Sequence, residues 1–559
     1  MRNELTGAGL VVIACGLLLL RALRTKKLPR NRAAHMRRRL RLRMRPGYGH
    51  ATIGELWLRW GRFASFRRSA RSRRSVGFWA RVRHPRWHSV LLGRAQYRHA
   101  LRLPLEEHVV IMAPPRTGKT GLLAAVILHY PGPVLSTTTK ADVCGLTAGV
   151  RALRGPVHVF NPQAIGDVPS TFRWNPLDGC NDQQTCIRRA DGFANAVAVD
   201  GTEDSSFWSA KASSYLRALF YAAALAGGDM RLVVRWALGS AEDAESILLS
   251  QGAVQWALEL GELRGEAQKT AATVRMVLSR ALSFMTDPAL AAAVMPCAGE
   301  PFSMEDFLRD RGTLYLIADS ENEASPLAPL FAAFAGEVHW TAVQAGQASP
   351  GGRLDPPLCM ALDEVTQVCP VPLPSWCADS GGKGIQLMTV AHGEAQLEGR
   401  WKKHGARAIL DTAGCMILLP GIKDTATLTA ASQLCGQAAW KEHGQEHASR
   451  HDVLPPDLIR SLLPGRGLFL RGGYAPVIGK LQRAWKDPVY RKAKRHGYAL
   501  AALAAAPAPL ALDEPDHLAI AQAARARVVD GQHAEDDEDG REFLPAAGAT
   551  GAAYPWAAR

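Results

Sequence analysis

Residues Ala113–Thr120 read A-P-P-R-T-G-K-T and follow directly on the apolar run Val109–Met112. That order of residue types suits a loop that wraps phosphate. Backbone N–H groups of the loop and of the following helix start would cradle phosphate oxygens, Lys119 would reach the β- and γ-phosphates, and the Thr120 hydroxyl would ligate Mg²⁺. The binding segment on this reading is Ala113, Pro114, Pro115, Arg116, Thr117, Gly118, Lys119, Thr120 and Gly121. One position departs from the usual pattern, since Ala113 stands where a first glycine is expected. A second segment supplies the other half of the chemistry: Leu358–Leu362 is an apolar run that ends in Asp363-Glu364. Asp363 would share the Mg²⁺, usually through water, and Glu364 would orient and activate an attacking water. The pair of segments therefore predicts a site that binds ATP with Mg²⁺ and hydrolyses it.

Those residues need elements to hold them. Val109–Met112 reads as a strand and Gly121–Tyr130 as a helix, the context a phosphate loop requires. From about Arg94 to Asn175, β-like runs (Val109–Met112, Val134–Thr138, Val157–Phe160) alternate with helix-like ones, the rhythm of a parallel sheet covered by helices. Between about Leu177 and Ser303 the composition turns to Ala, Leu, Glu and Arg, as in Phe207–Ala226, Leu232–Leu249 and Thr270–Phe284, with a helix start at Asp204-Ser205-Ser206. Strand-like runs then return at Thr313–Ala318, Leu358–Leu362, Ile385–Val390, Cys415–Leu419 and Leu468–Leu470. The expected fold class is α/β, a nucleotide-binding domain split into residues 94–176 and 304–485 by an all-α insertion over 177–303.

Charge separates the ends from the body. Residues 1–102 hold 26 Lys/Arg against two Asp/Glu, a net of +24, which leaves −8 for the rest of a chain whose total is +16. High pI is thus no sign that the body grips nucleic acid. Leu5–Leu20 is 16 residues without a charge, about 24 Å as a helix against a hydrocarbon core of about 30 Å, and Arg21 could snorkel to extend it. Twelve Lys/Arg follow between Arg21 and Arg45. The positive-inside rule then gives a membrane anchor over 1–23, a basic juxtamembrane segment over 24–93 and a cytoplasmic body on the inner membrane face. A signal peptide is the competing reading, with a weak n-region and no clear cleavage site.

A second basic cluster, Arg67, Arg68, Arg71, Arg73, Arg74, Arg81, Arg83 and Arg86, is interleaved with Phe66, Phe78, Trp79 and Trp87. It suits phosphates and bases, and equally a membrane-proximal surface. Ten cysteines without a C-x-x-C pair or zinc-like His spacing exclude a zinc ribbon and read as reduced thiols. Residues 500–559, Ala/Pro-rich and then acidic at Glu535–Asp539, have the composition of a disordered tail.

In order along the chain, A-P-P-R-T-G-K-T (113–120), T-T-T-K-A-D (137–142), F-N-P (160–162), W-N-P-L (174–177), F-W-S-A-K-A (207–212), A-L-D-E (361–364), G-K-G-I-Q-L (382–387), A-Q-L (395–397) and D-T-A-T-L-T-A-A-S-Q-L-C-G (424–436) resemble the type IV secretion coupling proteins. These are the TraG/TraD-like conjugation ATPases, and the likeness is nearest to actinobacterial members. The resemblance implies a RecA-like P-loop NTPase, a membrane-anchored homo-hexamer that delivers DNA or a relaxase–DNA complex to the components of a secretion channel. It also implies that the insertion selects substrate. The A-x4-G-K form occurs in the family, which accounts for Ala113. Two departures stand out: one marginal membrane helix where two are usual, and His392 where many members carry Gln. A neutral His and a Gln can each bond a γ-phosphate or water, while a strand-end capping role is the alternative. Lys140, after a strand end, could face the nucleotide or the ring pore, with a solvated turn lysine as the alternative. Arg311, Arg400 and Arg407 are candidates for an arginine finger supplied in trans. An FtsK-type double-stranded DNA pump, or a docking receptor that uses ATP as a switch with little hydrolysis, are the rival functions.

Overall fold

The computed structural model describes residues 48–198, 205–265, 268–295, 302–319, 325–440 and 449–495. The Leu5–Leu20 run, the basic stretch to residue 47, Asp204 and the acidic tail lie outside the described residues. Among the described residues no helix is long and apolar enough to cross a membrane.

The β-branched and aliphatic runs form one eleven-stranded sheet from β1 (Ser89–Arg94), β2 (Ala100–Pro104), β3 (Val109–Met112), β4 (Val134–Thr138), β5 (Val157–Phe160), β6 (Thr313–Ile317), β7 (Leu358–Leu362), β8 (Ile385–Ala391), β9 (Cys415–Leu418), β12 (Arg466–Leu470) and β13 (Val477–Leu481), while β10 (Gln437–Trp440) and β11 (Ser449–Asp452) make a separate hairpin. The spatial order is β2-β1-β13-β12-β9-β3-β8-β7-β4-β6-β5. Every pairing from β9 to β5 is parallel, and those from β12 to β2 are antiparallel.

Strands β3, β4, β7 and β8 are buried along their whole length, as expected of parallel strands covered on both faces. Alternation still sorts their side chains. Val109 and Ile111 join the core under the helices Lys119–His129 and Asp142–Arg151, whereas Val110 joins the core under the helix Ala328–Ala348.

Between β5 and β6 the chain forms a block of helices, chiefly Gln183–Ala196, Ser205–Leu225, Met230–Leu238, Glu242–Ser250, Val254–Gly265 and Gln268–Ala281. The stretch Leu232–Leu249 contributes to two helices, broken at Gly239, whose φ of −113° and ψ of −131° no helix can contain. The helix Gln183–Ala196 starts on an Asp182 side chain that accepts from the Thr185 N–H. The block shares one continuous hydrophobic core with the sheet: Phe193, Phe220 and Val277 belong to the same cluster as Phe331, Leu358 and Leu387. Arg188 and Arg189 reinforce that join, meeting buried Glu337 of the helix Ala328–Ala348 at 3.1 and 3.4 Å.

The Arg-rich segment ahead of the sheet is folded onto its edge. The helix Arg62–Ser72 reaches the amino ends of the central strands, where Arg73 pairs with Asp355 at 2.8 Å and Arg68 with Glu107, and the helix Phe78–Arg83 packs on it. Strand β1 begins at Ser89, ahead of the limit near Arg94 that composition suggests, because S-V-L-L-G-R mixes polar, glycine and apolar residues and carries a weak strand signal.

Candidate nucleotide-binding site

Strand β8 lies between β3 and β7, with Met112 opposite Ala391 and Leu362 opposite Thr389. Three adjacent carboxyl ends therefore open on one crevice, the usual place for a ligand in a parallel sheet. They bring there the loop 113–118, His392 and Asp363-Glu364.

Ala113 is fully buried, and its N–H continues the sheet by donating to Ala391 O at 3.0 Å. Its methyl packs in the core, and the ladder there needs no glycine. The loop turns after it. Thr117 Oγ1 donates to Pro114 O at 2.7 Å, and Arg116 (φ 64°) and Gly118 (φ 105°) are left-handed. Gly118 has that freedom without a Cβ, and no atom lies within 4 Å of where one would sit. The helix Lys119–His129 starts immediately, putting Lys119, Thr120 and Gly121 in its first turn.

Lys119 hydrogen-bonds the Glu364 carboxylate and stands 3.6 Å from Asp363 Oδ1. Both acids are buried, at 4 % and 8 % exposure. Burial pushes the Asp363 carboxyl above its usual range; the Lys119 ammonium opposes that rise and the Glu364 charge adds to it. Thr137 fixes the strand end, donating Oγ1 to Asp363 O at 3.0 Å, and Glu364 follows in a left-handed conformation (φ 48°). A non-glycine residue held there marks a position over-determined by its surroundings. Two buried oxygens, Asp363 Oδ1 and Glu364 Oε2, have no hydrogen-bond partner. Unsatisfied carboxylate oxygens fit a site for Mg²⁺, and the ammonium beside them fits a phosphate.

His392 reaches into the same crevice. Its Nδ1 is 3.0 Å from Ala113 O and its Nε2 is 3.3 Å from Glu364 Oε2. A carbonyl can only accept, so Nδ1 carries the hydrogen. Nε2 then faces Glu364 as an acceptor in the neutral ring and as a donor in the imidazolium. The His392 backbone N–H is itself taken by Gln396 Oε1 at 2.8 Å, while the imidazole holds the carbonyl that follows β3.

The other sequence candidates spread out. Lys140 closes an exposed turn after β4, its carbonyl accepting from Thr138 Oγ1 at 3.0 Å. Arg400 and Arg407 lie on the helix Glu394–Thr412, the Arg400 guanidinium donating to Asn195 O of the helical block. Arg311 precedes β6, at the opposite end of the strands from the crevice.

Sequence reasoning quoted the segments that hold Thr137 and Gln396 without giving either residue a role, and missed Trp485. None of the three has a spacing signal, and Trp485 is brought to the helix Lys119–His129 by a crossing segment, Ala484–Lys486. At the far end of the strands is a cavity of about 610 Å³, bordered by Arg59, Arg67, Arg353 and Arg471 and also by Glu106. Arg471 is not free there, since Glu107 holds it at 2.6 and 2.7 Å.

No curated protein matches this chain in sequence. Among solved structures it is similar to the bacterial conjugative coupling protein TrwBΔN70 (unbound form), at 17 % identity and a TM-score of 0.53 over 71 % of this chain and 90 % of the other. The plasmid coupling protein TrwB with ADP and Mg²⁺ matches at 17 % identity and a TM-score of 0.52, over 70 % and 89 %. The same protein with a non-hydrolysable GTP analogue matches at 17 % and 0.52, over 69 % and 88 %. The shared fold is the mixed α/β, RecA-like arrangement with a large parallel sheet. The family model for type IV secretory system conjugative DNA transfer matches residues 80–452, which span the phosphate loop, the helical block and the acid pair. The chain belongs to that family, the type IV coupling proteins.

Proposed function

We propose that this chain is a membrane-anchored ATPase that couples Mg²⁺-dependent ATP hydrolysis to the transfer of DNA, or of a relaxase–DNA complex, into a type IV secretion channel. The observation that carries it is the convergence of Lys119, Asp363, Glu364 and His392 on one crevice, in a chain of the conjugative transfer family. TrwB, with the same fold, is described in complex with ADP and Mg²⁺ and with a non-hydrolysable ATP analogue.

The roles follow from the contacts. Backbone N–H groups after Gly118 and the Lys119 ammonium bind the phosphates, while Thr120 and Asp363 hold the Mg²⁺, which supplies charge neutralisation at the phosphates. Glu364 takes the proton of the attacking water. Before phosphate arrives, Lys119 neutralises Glu364; a phosphate that draws the ammonium away leaves Glu364 free to act as base. His392 reads the charge on Glu364 through Nε2 while its Nδ1 grips the loop backbone. The apolar run Leu5–Leu20 anchors the chain in the inner membrane, subunits assemble as a hexamer, and the helical block meets the substrate.

The test is paired. Glu364→Gln should cut ATP turnover by about 10²–10⁴-fold while retaining ATP binding, and Lys119→Ala should weaken binding. Both should abolish conjugative transfer. Transfer that survives Lys119→Ala would remove the motor reading, and binding without turnover in the native protein would favour a docking receptor.

A further inference from the structure

The segment after β13 lies outside the family-matched region and crosses the outer side of the helix Lys119–His129. It is firmly seated. Ala484 is fully buried against Ala124, Ala125 and Leu128, and Asp487 is 2.8 Å from His129 Nε2 while accepting the Val489 N–H at 2.9 Å. Between these two anchors Trp485 stands half exposed, at 41 %. The benzene edge of its indole meets Gly121 so closely that a Cβ there would overlap Cζ3 and Cη2. The Arg483 guanidinium lies over the ring, 5.8 Å from its centroid, and steadies it.

The helix geometry says which part of a nucleotide lies nearby. Lys119 and Gly121 are two residues apart and so project about 200° apart around the helix axis. Lys119 turns to the carboxylates, the γ-phosphate side; the indole occupies the other flank, beside the first-turn backbone that cradles the α- and β-phosphates. What extends from the α-phosphate is the nucleoside. An apolar, planar, part-exposed surface held at that point has the chemistry of a base platform.

We propose that Trp485 is the surface on which the nucleobase stacks, a subsite supplied by the segment following β13 and admitted by the missing side chain of Gly121. The inference rests on the nucleotide site proposed above. Stacking uses the π face that every base shares, so adenine and guanine nucleotides should bind with similar affinity.

The full-length protein is titrated with a non-hydrolysable ATP analogue, the matching GTP analogue and inorganic tripolyphosphate, each with Mg²⁺. Trp485→Ala should weaken both nucleotide analogues by about 5- to 100-fold and leave tripolyphosphate unchanged. Trp485→Phe, which keeps a ring, should recover most of the loss. Analogue affinity unchanged in Trp485→Ala overturns the platform. An equal loss for tripolyphosphate overturns it too, as the indole would then merely prop the helix. Native protein that binds neither analogue nor tripolyphosphate defeats the nucleotide site itself, a failure distinct from that of the platform.

Discussion

The methyl of Ala113 sits in the core at the end of β3, with its N–H paired to Ala391 O, so the departure at this position lies outside the turning part of the loop. Ala113→Gly removes about one buried methyl and adds backbone freedom in the unfolded chain. It should cost about 1–2 kcal/mol, read as a lowered Tm, with nucleotide affinity unchanged. A gain in affinity would mean that the loop needs glycine there after all. His392 is a sharper test. His392→Ala removes the link between the Ala113 carbonyl and Glu364 and should lower kcat on the order of 10²-fold with little change in nucleotide affinity. His392→Gln, which can still reach the loop, should restore part of it; identical kcat in the two variants would deny the imidazole a positioning role. The juxtaposition at this scale was legible in advance: Lys119 lies beside Asp363 and Glu364, residues that their two motifs had singled out. The partners of His392 were not, because one hydrogen bond to a residue 279 positions away and one 3.3 Å contact to a residue 28 positions away leave no pattern along the chain.

At the scale of elements, runs without glycine or charge were read correctly. Val109–Met112, Val134–Thr138, Val157–Phe160 and Leu358–Leu362 are strands with those limits. Such strands are buried on both faces, so apolarity alone marks them. Strands β1 and β13 were invisible for the converse reason: S-V-L-L-G-R and V-I-G-K-L carry glycine and charge, and only their antiparallel pairing makes them strands. Strand order was beyond reach as well, since nothing in residues 385–391 says that they insert between β3 and β7. The join between the block and the helix Ala328–Ala348 makes its own prediction. Glu337→Ala leaves Arg189, itself nearly buried, without its carboxylate. The cost should be about 3–5 kcal/mol. Urea unfolding followed by tryptophan emission should show one transition moved to lower denaturant; a separate early transition for the block alone would contradict a shared core.

Four histidines spread across the molecule are held neutral by burial. Burial holds His88, His108 and His158 down to about 4 and His339 to about 3, against an ordinary value of 6.5. His108 even needs its lone pair, since its Nδ1 accepts the Leu387 N–H at 3.1 Å. The unfolded chain takes up these protons below pH 6.5 and the folded chain does not. Stability that is complete above that pH is therefore lost as pH falls from 6.5 toward 4. The Tm should drop by more than about 5 °C between pH 7.5 and 5, and a flat profile would show the four sites to be less buried than they are here.

The undivided core beneath the helical block has a mechanical meaning. A lid that swings on two linkers needs a seam that can open, and no seam separates Phe193 and Phe220 from Phe331 and Leu358. The block is a stiff lever. The helix Ala328–Ala348 is its fulcrum, and the next element along the chain, after residues 349–357, is β7, the strand that ends in Asp363 and Glu364. A displacement of the outer helices therefore has no soft joint to absorb it before it meets the packing beneath the strand that bears the acids.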